Sequence, residues 1–473
     1  MRLVSCGRLF TIELVFCFPM KLVSYRKGLI RQLSVLVVPI VIQNLISSFV
    51  NFADTVMLGR VSQTALSAGS LANQIYFILA IVYFGLTSSI TILSSQYWGK
   101  KDYQTIGSIF GIGLIISAVF SIPVAIVSFL MPESVLLFWT NDSLLIQEGA
   151  AYLRIVSFSY LCMTISQPYL SIMKSCERVQ LSTRISVAAL FINVIGNAIL
   201  IFGLLGAPAL GIRGAAIATC IARLTELLVC GYDYLHQKIL SHDPLSFFRI
   251  PKVLRDDFSR HCMPAFLNDL LWGFAFNMNS VIMGHLGSDM VAASSVVSIV
   301  REIISVVGFG IASGSAILLG KEIGEGNTEL ARNDAADILS LTVLVSLIQA
   351  ALLYAVSGWI PNLVVLSDTA KGYLLYMLKI SCVYTIGQVI NTLLIASFFR
   401  CGGDAKYGVR LDLLSMWGFA VPVGLLSAFV FHLPPLTVYT LLCLDEAIKL
   451  PFALQHYRQG NWINDLTRTE FAE

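Results

Sequence analysis

Charge is what this sequence has least of. Asp, Glu, Lys and Arg make up 12% of its 473 residues, and 56% are hydrophobic. Soluble domains average about 25% charged residues. A surface so poor in charge could not keep so long a chain in water, so the soluble classes are excluded and a polytopic membrane protein remains. The net charge of +3 makes no case for a nucleic-acid partner. The ten cysteines are dispersed, mostly in apolar runs, with no C-x-x-C. They form neither a metal-site pattern nor a disulfide framework and read as small hydrophobes. There is no G-x-x-x-x-G-K-[ST], no H-E-x-x-H and no G-x-S-x-G, so phosphate-loop, zincin and nucleophile-elbow chemistry have no foothold. The six histidines fall in loops or at helix ends. The chain reads as a non-enzyme, and any work it does draws on a gradient or a partner.

What the sequence has in abundance is long apolar runs. A bilayer core about 30 Å thick needs roughly 20 apolar residues per helix. Twelve runs qualify, at about 35–57, 67–91, 106–131, 149–172, 186–205, 211–232, 262–284, 291–319, 334–359, 373–399, 410–431 and 435–455. Runs of this length are helices, since barrel strands are short and alternate. With both termini placed in the cytoplasm, the inside segments hold 22 Lys and Arg and the outside loops only Arg60, Arg213 and Lys371. The positive-inside rule therefore predicts a multi-pass protein of the cell membrane with both ends cytoplasmic. Residues 1–32 form a cytoplasmic N-terminal segment. The stretch from Met20, "MKLVSYRKGLIRQ", reads as a natural start, which makes residues 1–19 an upstream extension.

The two halves match at a constant offset of 225. Pro39 falls on Pro264, Gly59 on Gly284 and Gly85 on Gly310, and "GKKD" (99–102) lies over "GEGN" (324–327). Further on, Lys174 and Arg184 match Arg400 and Arg410 at 226. This predicts an all-α membrane protein of two pseudo-symmetric six-helix lobes around a central cavity. The N-lobe is 33–232, a basic cytoplasmic linker is 233–261, the C-lobe is 262–455 and the tail is 456–473. An even helix count per lobe makes the relation a pseudo-two-fold along the membrane normal, and such architectures place substrate between the lobes.

Polar residues within the apolar runs mark candidate sites, because a carboxylate at mid-membrane costs about 2.5–3.5 kcal/mol on insertion scales. On the first helix Gln43, Ser47, Asn51 and Asp54 fall within about 80° of one another at 100° per residue. They form one polar stripe with Asp54 toward the outer end. On the seventh helix Asp269, Gly273, Phe276 and Ser280 share a face, with Trp272 beside it. Asn193 and Asn197 are one turn apart on the fifth. Asp412 opens the eleventh close behind Arg410, Arg301 and Glu302 sit inside the eighth, and Asp445 and Lys449 are an i, i+4 pair in the twelfth. A carboxyl group withdrawn from water holds its proton to higher pH, or it can offer oxygen to a hard cation such as sodium. Asp54, Asp269 and Asp412 are the candidate coupling groups. Gln43, Asn51, Asn193, Asn197, Trp272 and Phe276 are the candidate cavity lining, and sodium would sit among Asp54, Asn193 and Asn197.

From about residue 30 to 455 the chain resembles the multidrug and toxic compound extrusion (MATE) transporters. The resemblance rests on "P-x14-DTVMLGR" (Pro39 to Arg60), "QYWGKKD" (96–102), "NVIGNAILIFG…GIRGAAIAT" (193–219), "PAFLNDLLWGFAFNMNSVIMGHLG" (264–287) and "FFRCGGDAKYGVRLD" (398–412). It implies twelve helices in two lobes around a V-shaped cavity. It also implies export of amphipathic, often cationic, compounds against inward H⁺ or Na⁺, with no other cofactor, by a monomer in the lipid bilayer. It makes Asp54 a cation- or proton-binding residue. Where many relatives carry Asn then Asp, this chain has Asn193 and Asn197, one titratable group fewer. It suggests Asp269 for the family's acidic position on helix 7. The alternative within the wider superfamily is a flippase for lipid-linked or polysaccharide substrates.

Overall fold

The computed structural model describes residues 28–468, Val365 excepted; residues 1–19, read above as an upstream extension, lie outside them. Among the described residues the chain is helical, and its sole β pairing is an isolated bridge between Gly403 and Ile463. The N-terminal half supplies α1 (Leu29–Val61), α2 (Gln63–Gly99), α3 (Tyr103–Leu130), α4 (Ser143–Ser175), α5 (Val179–Phe202) and α6 (Ile212–His236). The C-terminal half supplies α7 (Met263–His285), α8 (Ser288–Gly324), α9 (Thr328–Ser357), α10 (Asp368–Phe399) and α11 (Ala405–Val430). It ends with α12, which breaks at Cys443 into Pro435–Leu442 and Leu444–Gln459.

Each of the twelve apolar runs lies in one of these helices. Among the described residues nine are long and apolar enough to span a membrane by length and composition. The other three are α4, α7 and α12, whose apolar runs are interrupted by Arg154 and Gln167, by Asn268, Asp269 and Asn277, and by Asp445, Glu446 and Lys449.

Six helices pack within each half. In the first, α4 lies against α2, α3 and α6, and α5 against α1 and α6; in the second, α10 lies against α8, α9 and α12, and α7 against α11. The halves meet through α2 on α7 and α8 on α1, which are the same contact under the 225-residue repeat. The matched glycines explain it. A Cβ on Gly85 of α2 would stand 3.1 Å from the Phe266 carbonyl of α7, and one on Gly310 of α8 would stand 2.4 Å from Val41 of α1. A side chain at either position would force its neighbour to shift.

The repeat extends to the helix ends. Gly99 and Gly324 meet each other, and a Cβ on either would fall 2.2 Å or less from the other helix's backbone oxygen. Just beyond them Lys101 (φ 60°) and Gly326 (φ 82°) both turn the chain in the left-handed region, as do Glu177 (φ 60°) and Gly403 (φ 83°) after α4 and α10. Glycine makes this turn freely in the second half. The first half makes it with side chains attached, at about 1–3 kcal/mol per residue.

The linker belongs to the N-lobe. Phe247 lies edge-on to Phe110 at 5.2 Å and backs onto Gly111 of α3, and Leu254 and Phe258 of the helix Lys252–His261 are buried in the same apolar core.

Candidate functional site

Of the stripe on α1, Gln43, Ser47 and Asp54 are partly buried and Asn51 is exposed. Asp54 lies about 10 Å from the end of its helix at 1.5 Å per residue, on the side that packs against α5. Asn197 donates from Nδ2 to Asp54 Oδ1 at 2.6 Å and stands 3.4 Å from Asn193 Oδ1. Asn193 donates in turn to the Thr219 hydroxyl of α6 at 3.2 Å. Asn197 is 1% exposed, and its own Oδ1 is buried with no hydrogen-bond partner. A carboxylate, two amide oxygens and a hydroxyl therefore converge between α1, α5 and α6, one of those oxygens still unsatisfied. Oxygen sets of this kind suit a hard monovalent cation or a proton. Lower on the stripe Gln43 faces α5, its Oε1 3.5 Å from the Thr183 hydroxyl. Asn51 is exposed and accepts at its carbonyl from Thr55.

The other two candidate carboxylates are already held. Asp269 is locked to Arg400 in a bidentate ion pair of 2.7 and 2.8 Å, each side chain 6% exposed, and Ser88 of α2 caps the same guanidinium. Asp412 is not partnered by its neighbour Arg410. It lies 3.4 Å from Lys449 Nζ and accepts from Asn268 at 2.8 Å. Lys449 also holds Glu446 at 2.9 Å and Asp445 at 3.6 Å, so one ammonium gathers three carboxylates at the start of the second α12 segment. The i, i+4 spacing found Asp445 with Lys449 but not the wider cluster. Arg301 of α8 lies over the Tyr384 ring, 3.9 Å from its centroid.

Trp272 and Phe276 stack with centroids 5.8 Å apart and are 38% and 43% exposed. They share a side of α7 with Asn279 and Ser280, while the opposite exposed side carries Leu267, Phe274 and Val281. The apolar side suits lipid and the mixed side suits a cavity. On α8, Glu302 is exposed and accepts from Ser48 of α1 at 3.0 Å, bridging the lobes at mid-depth.

Sequence reasoning missed two participants. Thr219 was in view as the last residue of "GIRGAAIAT". Arg223, which binds the buried Glu226 at 3.0 Å and reaches the Tyr76 hydroxyl, had only its charge within an apolar run to reveal it. Glu302 was in view inside the eighth helix, but its Ser48 partner emerges only from the fold.

Two mirrored helix sets, close backbone crossings between them and polar side chains facing inward define a multi-pass membrane transporter. The chain belongs to the MatE family, whose model matches residues 39–199 and 264–426. It is 22% identical to the uncharacterized transporter YisQ of Bacillus subtilis, over 90% of this chain and 93% of that one. It is 26% identical to the probable multidrug resistance protein NorM of Synechocystis, over 84% and 88%, and 23% identical to rabbit multidrug and toxin extrusion protein 1, over 85% and 70%. Its fold matches that of a Vibrio cholerae MATE transporter with a TM-score of 0.82 at 17% identity, covering 94% of this chain and 99% of the other.

Proposed function

We propose that this protein is a secondary active efflux transporter. It exports amphipathic, cationic drugs or metabolites in exchange for H⁺ or Na⁺, as a monomer in the cell membrane with both termini in the cytoplasm. The observation that carries the reading is the inequality among the three candidate carboxylates. Asp269 and Asp412 each face a buried cation, whereas Asp54 makes no ion pair among the described residues and sits in an oxygen-lined cleft with an unsatisfied acceptor. A buried carboxylate without a counter-charge must take up a proton or a cation. Doing so changes the charge between α1, α5 and α6, and so biases the lobe from within. The relatives' names, multidrug resistance and toxin extrusion, support the substrate class. So do the stacked Trp272–Phe276 pair, which offers flat apolar surface, and Glu302, which offers a negative charge.

The close backbone crossings named above fall between mid-helix and the Gly99–Gly324 end, and the Ser48–Glu302 contact lies near mid-helix, which supports a cavity open at the Asp54 end. Rocking about the α2–α8 crossing would alternate access.

The test is transport in proteoliposomes with H⁺ and Na⁺ gradients imposed separately and an ethidium-like dye as cargo. One gradient drives dye movement in the wild type and thereby names the ion. Asp54→Asn keeps the fold and abolishes gradient-driven transport. Undiminished transport by that variant refutes the assignment, and movement of lipid-linked cargo in place of dye favours a flippase.

A further inference from the structure

The segment after α12 crosses from one lobe to the other. Gly460 (φ 72°) ends the helix, and Trp462 then inserts into the C-lobe. It is 1% exposed and stacks on Phe398 at 5.4 Å and Tyr457 at 5.9 Å. Asn464 secures the same end by donating twice to the Gly402 carbonyl, from its backbone N–H at 2.9 Å and from Nδ2 at 3.1 Å. Beyond Asn464 the hydrogen bonds and ion pairs described below run to the N-lobe, while the Leu466 side chain also packs on Gly403 of the C-lobe. Gln96 of α2 donates to the Asn464 carbonyl at 3.1 Å and accepts from the Leu466 N–H at 2.8 Å, while also donating to the Cys401 carbonyl of the C-lobe. Lys100 lies 3.8 Å from Asp465. Arg468 pairs with Asp257 of the linker helix at 2.7 and 2.8 Å, and its N–H reaches the Tyr97 hydroxyl at 3.4 Å.

We infer that residues 460–468 are a conformational strap that holds the lobes together at the Gly99–Gly324 end and must let go of the N-lobe each time that end opens. The two attachments differ in kind, and this sets which one yields. The C-lobe end is a buried aromatic stack, which has no equivalent in water. The N-lobe end is mainly hydrogen bonds and ion pairs, which water can replace at small net cost, with the single partly buried Leu466 as its apolar contact. Gln96 is the pivot, since all three of its bonds cross between the lobes. The strap therefore travels with the C-lobe and unlatches from Gln96, Lys100 and Asp257. The Trp98 indole and Lys321 (α8) both bind Glu177 beside it, at 3.1 Å and 2.8 Å, so the strap acts alongside a second polar closure that opens the same way. The inference rests on the rocking motion proposed above.

Spin labels at Lys101→Cys and Asn327→Cys, both exposed and on opposite lobes at this end, report their separation in the full-length protein by pulsed dipolar spectroscopy. The wild type gives a dominant short distance and a minor long one. Arg468→Ala with Asp465→Ala alters only the partly exposed end of the strap, and Gln96→Ala removes the pivot. Each raises the ratio of long to short population, by about tenfold for Gln96→Ala on the usual worth of one to two hydrogen bonds. A short bis-maleimide joining Lys100→Cys to Asp465→Cys removes the long distance and halts transport, while either single variant treated with the reagent keeps both. Unchanged populations in the loosened variants, or full transport by the cross-linked protein, overturn the strap. A wild type with one distance under every gradient overturns the rocking motion itself.

Discussion

The ion pair between Asp269 and Arg400 lends itself to a quantitative test, because its two halves lie 131 residues apart in sequence and both are 6% exposed. Removing one partner leaves the other charge buried alone, which costs about 3–5 kcal/mol. Asp269→Asn and Arg400→Met should each lower stability by that order. Removing both charges together leaves only the Ser88 hydroxyl without its partner, at about 1 kcal/mol. Asp269→Leu/Arg400→Met should therefore recover most of the loss. The assay is thermal unfolding of purified protein in detergent, with all variants at one protein and detergent concentration. The pairing argument fails if the double variant loses as much as the two single variants summed. The same double variant also separates structure from coupling. If Asp269 serves only to neutralise Arg400, the double variant exports at a pH dependence unchanged from the wild type. A lost or displaced pH dependence would make Asp269 a coupling group.

Three further outcomes follow from particular residues. Gly324→Ala places a Cβ 1.9 Å from the Gln96 carbonyl oxygen, so it should disfavour closure at that end and slow export while the protein still folds; wild-type distances between labelled lobes would refute this. Lys101→Gly relieves a left-handed turn that its counterpart Gly326 already makes freely, and should raise stability by about 1 kcal/mol in thermal unfolding; a loss would show that the Lys101 side chain makes a compensating contact. His261, at the end of the linker helix, has its imidazole pulled below its ordinary value of 6.5, chiefly by burial and against the opposing hydrogen bond to the Gly403 carbonyl. The unfolded chain then binds its proton first, so stability should fall as pH drops through about 6.5, the unfolded value. His261→Gln should flatten that part of the stability–pH curve, and an unchanged slope would refute it.

The helices were legible because length and hydropathy alone decide them, and because a chain that repeats itself reports its own boundaries twice. The α1 stripe was legible because four polar residues on one face of an otherwise apolar helix have few places to go. The partners were not. Asp269 meets Arg400 and Asp412 meets Lys449 only after α7, α10, α11 and α12 have packed, and nothing local distinguishes those cations from others. Arg410, close in sequence, is not the partner of Asp412, since residues two apart on a helix point to different sides. Thr219 escaped because a hydroxyl in an apolar helix usually bonds its own backbone, as this one does to Ala215 while also receiving Asn193. The left-handed turns at Lys101 and Glu177 are invisible in their own half and spelled out as glycine in the other. Reading one half against the other would have found them.

The bare crossing of Gly99 with Gly324 constrains how such a machine can move. Side chains can swivel and so absorb a fraction of a displacement; two naked ribbons pressed together cannot. That junction is either seated or parted, with little between, so each turnover should proceed as a snap and not a glide. Dwell times recorded on single molecules would then fall into two discrete levels.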